Sequence, residues 1–160
     1  MQEIFADYKV IIVFLHVISA VVWVGGMIAM RYAAHPSFIE IESPAKRLER
    51  ISHALKRLFT IVLPFVIILI LTAVVMIKGY GLSQSEYSVL SHAKEGIWSV
   101  MFINLIVMMK RRNRCDKMIE EGNFVDAKSQ LELIGKFMVP FNIALGVTAI
   151  FIGSYFSSVF

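Results

Sequence analysis

The chain has 160 residues, of which 58% are hydrophobic and 18% are charged, and its mean hydropathy is +0.71. Soluble domains contain roughly half apolar residues, so this composition excludes an ordinary soluble globule and favours a single membrane domain. The net charge of +4 does not indicate nucleic-acid binding, because acidic residues interrupt the basic stretches.

Three long apolar runs are spaced along the chain. Residues 10–30, 58–77 and 137–160 contain no Asp, Glu, Lys or Arg over 21, 20 and 24 positions respectively. A helix that crosses the hydrocarbon core needs about 20 predominantly apolar residues. Each run therefore predicts a transmembrane helix.

A fourth run, residues 96–109, has only 14 such positions and is too short by the same criterion. It reaches spanning length if the helix begins near residue 87 and includes His92, Lys94 and Glu95. We predict four spans in one domain, residues 1–160. They cover about residues 9–31, 58–78, 87–109 and 137–158.

The basic residues predict the orientation of these spans. Residues 31–57 and 110–136 hold 13 of the 16 Lys and Arg residues. Basic residues close to transmembrane helices stay on the cytoplasmic side. We therefore expect a multi-pass protein of the inner (cytoplasmic) membrane, with both termini on the non-cytoplasmic side.

Helix-start signals lie outside the apolar runs. Ser43 followed by Pro44 is typical of an N-cap and the first helical position. Asn123 and Asp126, after a turn at Gly122, predict a second helix start. The predicted fold is all-α, an integral membrane four-helix bundle whose helices extend into the cytoplasm.

His16 is the candidate binding residue of the first helix. Helical periodicity places it on one stripe with Ala20, Trp23, Met27 and Met30, and Ser19 lies at its edge. An imidazole within hydrocarbon needs a partner, and such residues usually face the bundle interior and mark a site. The alternative is a histidine whose hydrogen bonds are satisfied by a neighbouring hydroxyl or carbonyl.

Lys94 is the candidate catalytic residue, on a face of the third helix that includes Met101. It either meets an anionic group of a bound molecule or extends to the membrane interface, as lysine side chains near helix ends often do. His92 precedes it by two residues and should point away from it. The lone Cys115 has no partner for a disulfide within the chain and is expected to be a reduced thiol.

A histidine in a helical bundle, with aromatic residues, methionines and a lysine, suits haem b, whose iron binds imidazole or thioether and whose propionates attract basic groups. Copper is the alternative, since methionine sulfur with histidine suits Cu(I) and Met27 and Met30 share the His16 stripe. The candidate cofactor-binding residues are His16, Ser19, Trp23, Arg31 and Met101, and the candidate metal ligands are His16 and His92.

The first helix resembles the opening helix of the HemJ-type protoporphyrinogen IX oxidases and the related CopD-like membrane proteins. The resemblance implies a four-helix membrane protein that binds haem b and oxidises protoporphyrinogen IX to protoporphyrin IX. It also implies His16 as haem ligand and Lys94 as a site residue. The matching features are residues 15–26 (LHVISAVVWVGG), Arg31 and His35, Pro64, Gly79-Tyr80-Gly81, His92-Ala93-Lys94 and Val139-Pro140.

Three hypotheses follow for the function. The first is a haem b redox protein that acts on a tetrapyrrole or passes electrons to a quinone. The second is a copper-handling membrane protein. The third is a non-catalytic assembly subunit that uses the small-residue stripe of the fourth helix, for which tight internal packing is the alternative. Expected partners are membrane lipid and a further copy of the chain, with no nucleic acid. The stripe comprises Gly135, Met138, Asn142, Gly146, Ala149 and Gly153.

Overall fold

The computed structural model describes residues 2–81 and 88–159, and all regular structure within these ranges is helical, without a strand. The predicted start of the third span at residue 87 lies outside the described residues. The all-α prediction is confirmed. The helices are α1 (Gln2–Ala29), α2 (His35–Ile39), α3 (Pro44–Gly79), α4 (Ser88–Glu120), α5 (Phe124–Leu133) and α6 (Val139–Val159).

These helices form four rods. A π-helical segment, Met30–Ala34, joins α1 to α2 in the first rod, and a second, Ile134–Met138, joins α5 to α6 in the fourth. The second and third rods are α3 and α4. Consecutive rods are antiparallel, and we call the end with the first and last described residues the terminal end. The opposite end, with the connections at residues 40–43 and 121–123, is the loop end.

The predicted helix starts are confirmed. The Ser43 hydroxyl accepts a hydrogen bond from the Lys46 backbone N–H at 3.5 Å, and Pro44 follows it at the first helical position. Asn123 caps α5 in the same way, after a turn in which Gly122 has a φ of 75°. With 36 residues, α3 is about 54 Å long, which exceeds the hydrocarbon core of about 30 Å.

Three rods are long and apolar enough to cross a membrane: residues 5–39, 44–79 and 124–155 of the described chain. In the most apolar window of each, only 17–22% of the residues are buried inside the protein. Large apolar side chains such as Val10, Leu71 and Phe151 point outward. Such a surface suits lipid tails rather than water, so the chain is a membrane protein. Because α4 does not meet the criterion, the third predicted span, residues 87–109, stays a prediction.

The interior of the bundle is apolar along most of its length. Trp23, Met27, Val62, Leu105 and Met108 are each at most 1% exposed and belong to one continuous core. The helix pair with the largest contact is α1 and α3. This core fixes the relative depth of polar side chains on different helices.

The small-residue stripe of the fourth rod packs inside the bundle. A Cβ atom added at Gly146 would lie 2.5 Å from Val24 Cγ2 and 3.2 Å from Met101 Cε. Asn142 is fully buried, and Gly153 faces Lys94. The interpretation of the stripe as a close-packing surface is therefore confirmed at Gly146 and Asn142.

Candidate functional site

His16 lies on α1, half-buried, with its ring turned toward α3. Its Nδ1 atom is 3.0 Å from Oγ1 of Thr72, a side chain that is only 8% exposed. The Thr72 hydroxyl also lies 2.7 Å from the carbonyl oxygen of Ile68 and 3.0 Å from that of Leu69. His16 is therefore held from the helix opposite, and its hydrogen-bond requirement is met at one ring nitrogen.

Lys94 reaches across the bundle to the fourth rod. Its Nζ atom would be 3.0 Å from a Cβ atom at Gly153, so the absence of a side chain there makes room for the ammonium group. Lys94 also lies within electrostatic range of His16. The two strongest candidates from the sequence are thus brought to one place.

These residues share one layer of the bundle, which we call the terminal-end site: His16, Thr72, Lys94 and Gly153. Thr72 lies seven residues before the end of α3, Lys94 six after the start of α4, and Gly153 six before the end of α6. At 1.5 Å per residue, each position is about 9 to 11 Å from its helix end. All four rods therefore contribute to the site.

The N-terminal part of α1 covers this end of the bundle. Phe5 is 5% exposed and packs against Gly79, where even a methyl group would clash with its ring. The Phe5 and Tyr80 rings meet edge to face at 4.8 Å between centroids. The Lys9 ammonium lies 5.0 Å from the centre of the Tyr80 ring. These aromatic contacts shield the terminal-end site from that side.

Three other predicted residues lie deeper than His16 in the core. The Ser19 hydroxyl donates to the Leu15 carbonyl of its own helix at 2.6 Å. Trp23 is 1% exposed, and its indole N–H has no hydrogen-bond partner in the part of the chain that the structure describes. Met101 is 3% exposed and contacts the Gly146 region. All three side chains are therefore part of the packed core rather than of an open surface beside His16.

Arg31 and His92 lie away from His16. Arg31 is 15 residues further along the first rod, about 22 Å at the helical rise, and lines a small cavity of about 20 Å³ at the loop end with His35 and Gly135. The side chain of His92 is 63% exposed near the terminal end and pairs with Glu95 at 3.2 Å. Their predicted roles stay predictions, but the structure does not group either residue with Thr72 and Gly153.

A hydrogen-bonded asparagine pair, with Asn142 fully buried and Asn104 half-buried, was not singled out as a site from the sequence. Asn104 Nδ2 donates to Asn142 Oδ1 at 2.7 Å and to the Met138 carbonyl at 2.9 Å. Asn142 in turn donates to the Met101 carbonyl at 3.2 Å. Met138 ends the second π-helical segment, where the regular pattern of backbone hydrogen bonds changes. The pair links α4 to the fourth rod.

A second polar cluster, the loop-end cluster, comprises Ser52, Arg112, Asn113 and Asp116. Arg112 is 7% exposed, and its guanidinium donates to Ser52, Asn113 and Asp116. The Ser52 hydroxyl also donates to Asp116. The cluster borders an open cleft of about 610 Å³ between α3 and α4, whose lining mixes basic and acidic side chains. Arg112 is one of seven basic residues in residues 110–136, and nothing in the sequence distinguishes it from the other six. This cluster could therefore not be predicted.

Cys115 is buried beside the loop-end cluster, and its Sγ atom lies 3.5 Å from the Ala127 carbonyl oxygen. Burial, and then the neighbouring Asp116 carboxylate, raise the pKa of the Cys115 thiol from 9.0 to about 11. Cys115 is a free thiol, as expected, and the raised pKa makes it unreactive.

No group of three or more His, Cys, Asp or Glu side chains in residues 2–81 and 88–159 is arranged to hold a metal ion. Comparisons of the chain with protein-family models, with curated proteins and with solved structures find no match. The resemblance of the first helix to HemJ-type and CopD-like proteins therefore stays a prediction, and the terminal-end site has to be interpreted from its own chemistry.

Proposed function

We propose that the protein is a multi-pass inner-membrane protein that binds haem b at the terminal-end site and takes part in redox chemistry. The observation that carries the proposal is the proximity of His16 and Lys94, within electrostatic range of each other, in a layer of the bundle to which all four rods contribute. Ionisable residues at such a depth are costly and are usually retained for a function.

The residues present fit this cofactor in their chemistry. His16 is an imidazole held at one ring nitrogen by Thr72, as metal-ligating histidines commonly are. Lys94 provides a cation for a propionate at the same depth. Phe5 and Tyr80 provide aromatic cover. In the proposed complex, His16 binds the iron and Lys94 binds a carboxylate.

Bound haem b supplies one-electron redox chemistry, while the protein provides the ligand, the orientation and the surrounding polarity. Protoporphyrinogen IX is the substrate that the HemJ resemblance implies, and its oxidation is the activity we propose to test first. Lys94 is suited to orient an anionic tetrapyrrole through its carboxylates. A quinone in the bilayer is the proposed electron acceptor.

The orientation belongs to this proposal. The 13 basic residues of the two long connecting regions would face the cytoplasm, so the terminal-end site would lie in the non-cytoplasmic half of the membrane. The third predicted span, residues 87–109, would place Lys94 at a depth close to that of His16. The orientation is measured by labelling Lys78→Cys and Lys117→Cys in spheroplasts with a thiol reagent that does not cross the membrane. In the proposed orientation, only the cysteine at position 78 is labelled.

The test of haem binding is an optical spectrum. We expect wild-type protein from haem-replete cells, purified in detergent, to show a Soret band that shifts on reduction. His16→Ala should lose the band, whereas His53→Ala, which changes an exposed loop-end histidine, should retain it. A colourless wild-type preparation would contradict the proposal. Turnover of protoporphyrinogen IX then tests the oxidase activity separately.

Neither alternative gains a specific observation. Met27 and Met30 are core residues, 1% and 8% exposed, which is the ordinary position of methionine in a bundle. The small-residue stripe is used for packing within the chain and leaves little of that surface for another subunit. Copper retention and copurification of a partner remain the measurements that would favour the copper-handling and assembly hypotheses.

A further inference from the structure

The contact between His16 and Thr72 indicates which ring nitrogen of the imidazole carries the proton. A neutral histidine carries one ring proton, on Nδ1 or on Nε2, and a hydrogen bond at one nitrogen selects the form. Nδ1 of His16 lies 3.0 Å from Thr72 Oγ1. Whether Thr72 donates to the ring or accepts from it therefore indicates which ring nitrogen has the free electron pair. The Leu69 backbone carbonyl, 3.0 Å from Thr72 Oγ1, also interacts with the imidazole and is a second acceptor beside it.

The surroundings of the Thr72 hydroxyl decide its role. Oγ1 lies 2.7 Å from the Ile68 carbonyl oxygen and 3.0 Å from the Leu69 carbonyl oxygen. Carbonyl oxygens only accept hydrogen bonds, and two oxygens without a proton between them would repel each other at these distances. The hydroxyl proton of Thr72 must therefore point from Oγ1 toward one of the two carbonyl oxygens. With its only proton donated to the α3 backbone, Oγ1 can only accept from His16. The ring proton then lies on Nδ1.

We propose that Thr72 is a positioning residue that holds His16 in the Nδ1–H form and leaves Nε2 as the atom that binds a ligand. The functional part of this inference rests on the proposed haem site, whereas the proton position does not. A donor from Nδ1 to a fixed acceptor orients the ring and raises the basicity of Nε2 toward a metal.

The substitutions offer a matched set on the same helix. Thr72→Val keeps the shape and removes the acceptor, and Thr72→Ser keeps the acceptor and removes a methyl group. Thr60→Val is the control, because the Thr60 hydroxyl donates only to the Lys56 carbonyl of its own helix, at 2.8 Å, and is exposed. Thermal unfolding of each variant in detergent identifies those that fold.

The proton position is measured on the haem-free protein by nitrogen NMR with 15N-labelled histidine. The chain has four histidines, so the His16 signals are assigned by their loss in His16→Ala. We expect a protonated Nδ1 and an unprotonated Nε2 in the wild type, in Thr72→Ser and in Thr60→Val. Thr72→Val should shift the population toward the Nε2–H form. A wild type with its proton on Nε2, or a folded Thr72→Val with an unchanged spectrum, would overturn the inference.

The effect on a ligand is measured by haem titration and redox potentiometry. Loss of a hydrogen bond to a ligating histidine typically lowers metal affinity by 10- to 100-fold, and we expect about this loss in Thr72→Val with recovery in Thr72→Ser. The reduction potential should rise in Thr72→Val, because a less basic imidazole stabilises the oxidised iron less. Unchanged affinity and potential would overturn the positioning role.

The two proposals fail in different ways. A wild type that binds no haem contradicts the proposed function, and the NMR measurement then still decides the proton position on His16. A wild type that binds haem through His16, with the Nε2–H form in the apo protein, supports the proposed function and contradicts the role of Thr72.

Discussion

The terminal-end site and the loop-end cluster both bury ionisable groups between helices, but they satisfy them differently. At the loop end, the Arg112 guanidinium donates to Ser52, Asn113 and Asp116, so the protein itself completes the coordination. At the terminal end, Thr72 engages Nδ1 of His16, and in the proposed complex Nε2 binds a different molecule. Complete internal pairing favours a structural role, whereas a positioned group with an unused binding atom favours ligand binding.

The largest expected effect lies in the loop-end cluster. Arg112→Met should lower the free energy of unfolding by about 3 kcal/mol, because it removes the buried guanidinium that donates to Ser52 and pairs with the partly exposed Asp116 carboxylate. Unfolding in detergent with a chemical denaturant, followed by the helical signal, measures the change. Arg114→Met, on an exposed position of the same helix, is the control. Equal effects of the two substitutions would contradict a structural role for the cluster.

The next effect concerns the Cys115 thiol. With a pKa of about 11 instead of 9.0, the thiolate fraction at pH 8 falls by about 100-fold, so alkylation by N-ethylmaleimide should be slower by at least this factor than in the unfolded protein. The rate in the folded protein should keep rising up to pH 10. The raised pKa contributes stability below pH 9, and this contribution is lost as the pH rises toward 11. Equal rates in folded and unfolded protein would contradict the buried environment.

Between the two regions, Gly146 tests the close packing of the fourth rod. Gly146→Ala places a methyl group 2.5 Å from Val24 Cγ2, and we expect a loss of about 2 kcal/mol from overpacking. At Gly25 an added Cβ meets no atom within 4 Å, so Gly25→Ala should leave the stability unchanged or slightly higher. The same unfolding assay measures both variants. A neutral Gly146→Ala would show that the helices can separate there at little cost.

The smallest expected change in stability is at Gly153. Its new methyl group in Gly153→Ala would meet only the flexible tip of Lys94, so the unfolding free energy should change by less than about 0.5 kcal/mol. Because the ammonium must move, haem binding should weaken while the His16-dependent band persists. Parallel titrations of Gly153→Ala and Gly25→Ala measure this. Equal haem affinities of the two variants would show that Lys94 does not contact the ligand.

Several features could be predicted from the sequence because they depend on local chemistry. Ser43 and Asn123 are short polar residues immediately before helical patterns, and both cap a helix in the structure. His16 and Lys94 are conspicuous because ionisable residues are rare in apolar helices. Their meeting required only that both lie at a similar depth in antiparallel helices.

Other features depend on tertiary placement that one sequence does not specify. Thr72 is one of two hydroxyl residues in residues 58–77, and such hydroxyls often bond only to their own helix, as that of Thr60 does. The only indication in the sequence for a contact with His16 was that Thr72 lies at a similar depth in its helix. Arg31 was grouped with His16 through the resemblance of the first helix, which does not give the distance along the axis. Arg112 gains its partners only from the packing of α3 against α4.

The two π-helical segments set the direction of the side chains at the loop end of the first and fourth rods. A π-helical turn holds an extra residue relative to an α-helical turn. The side chains at the loop end therefore point in other directions than they would in a continuous α-helix. Deleting one residue in either segment would turn the loop-end face of that rod by about 100°, while the face that carries His16 or Gly153 kept its direction. Such a deletion would disturb the packing at the loop end and leave the terminal-end site in place.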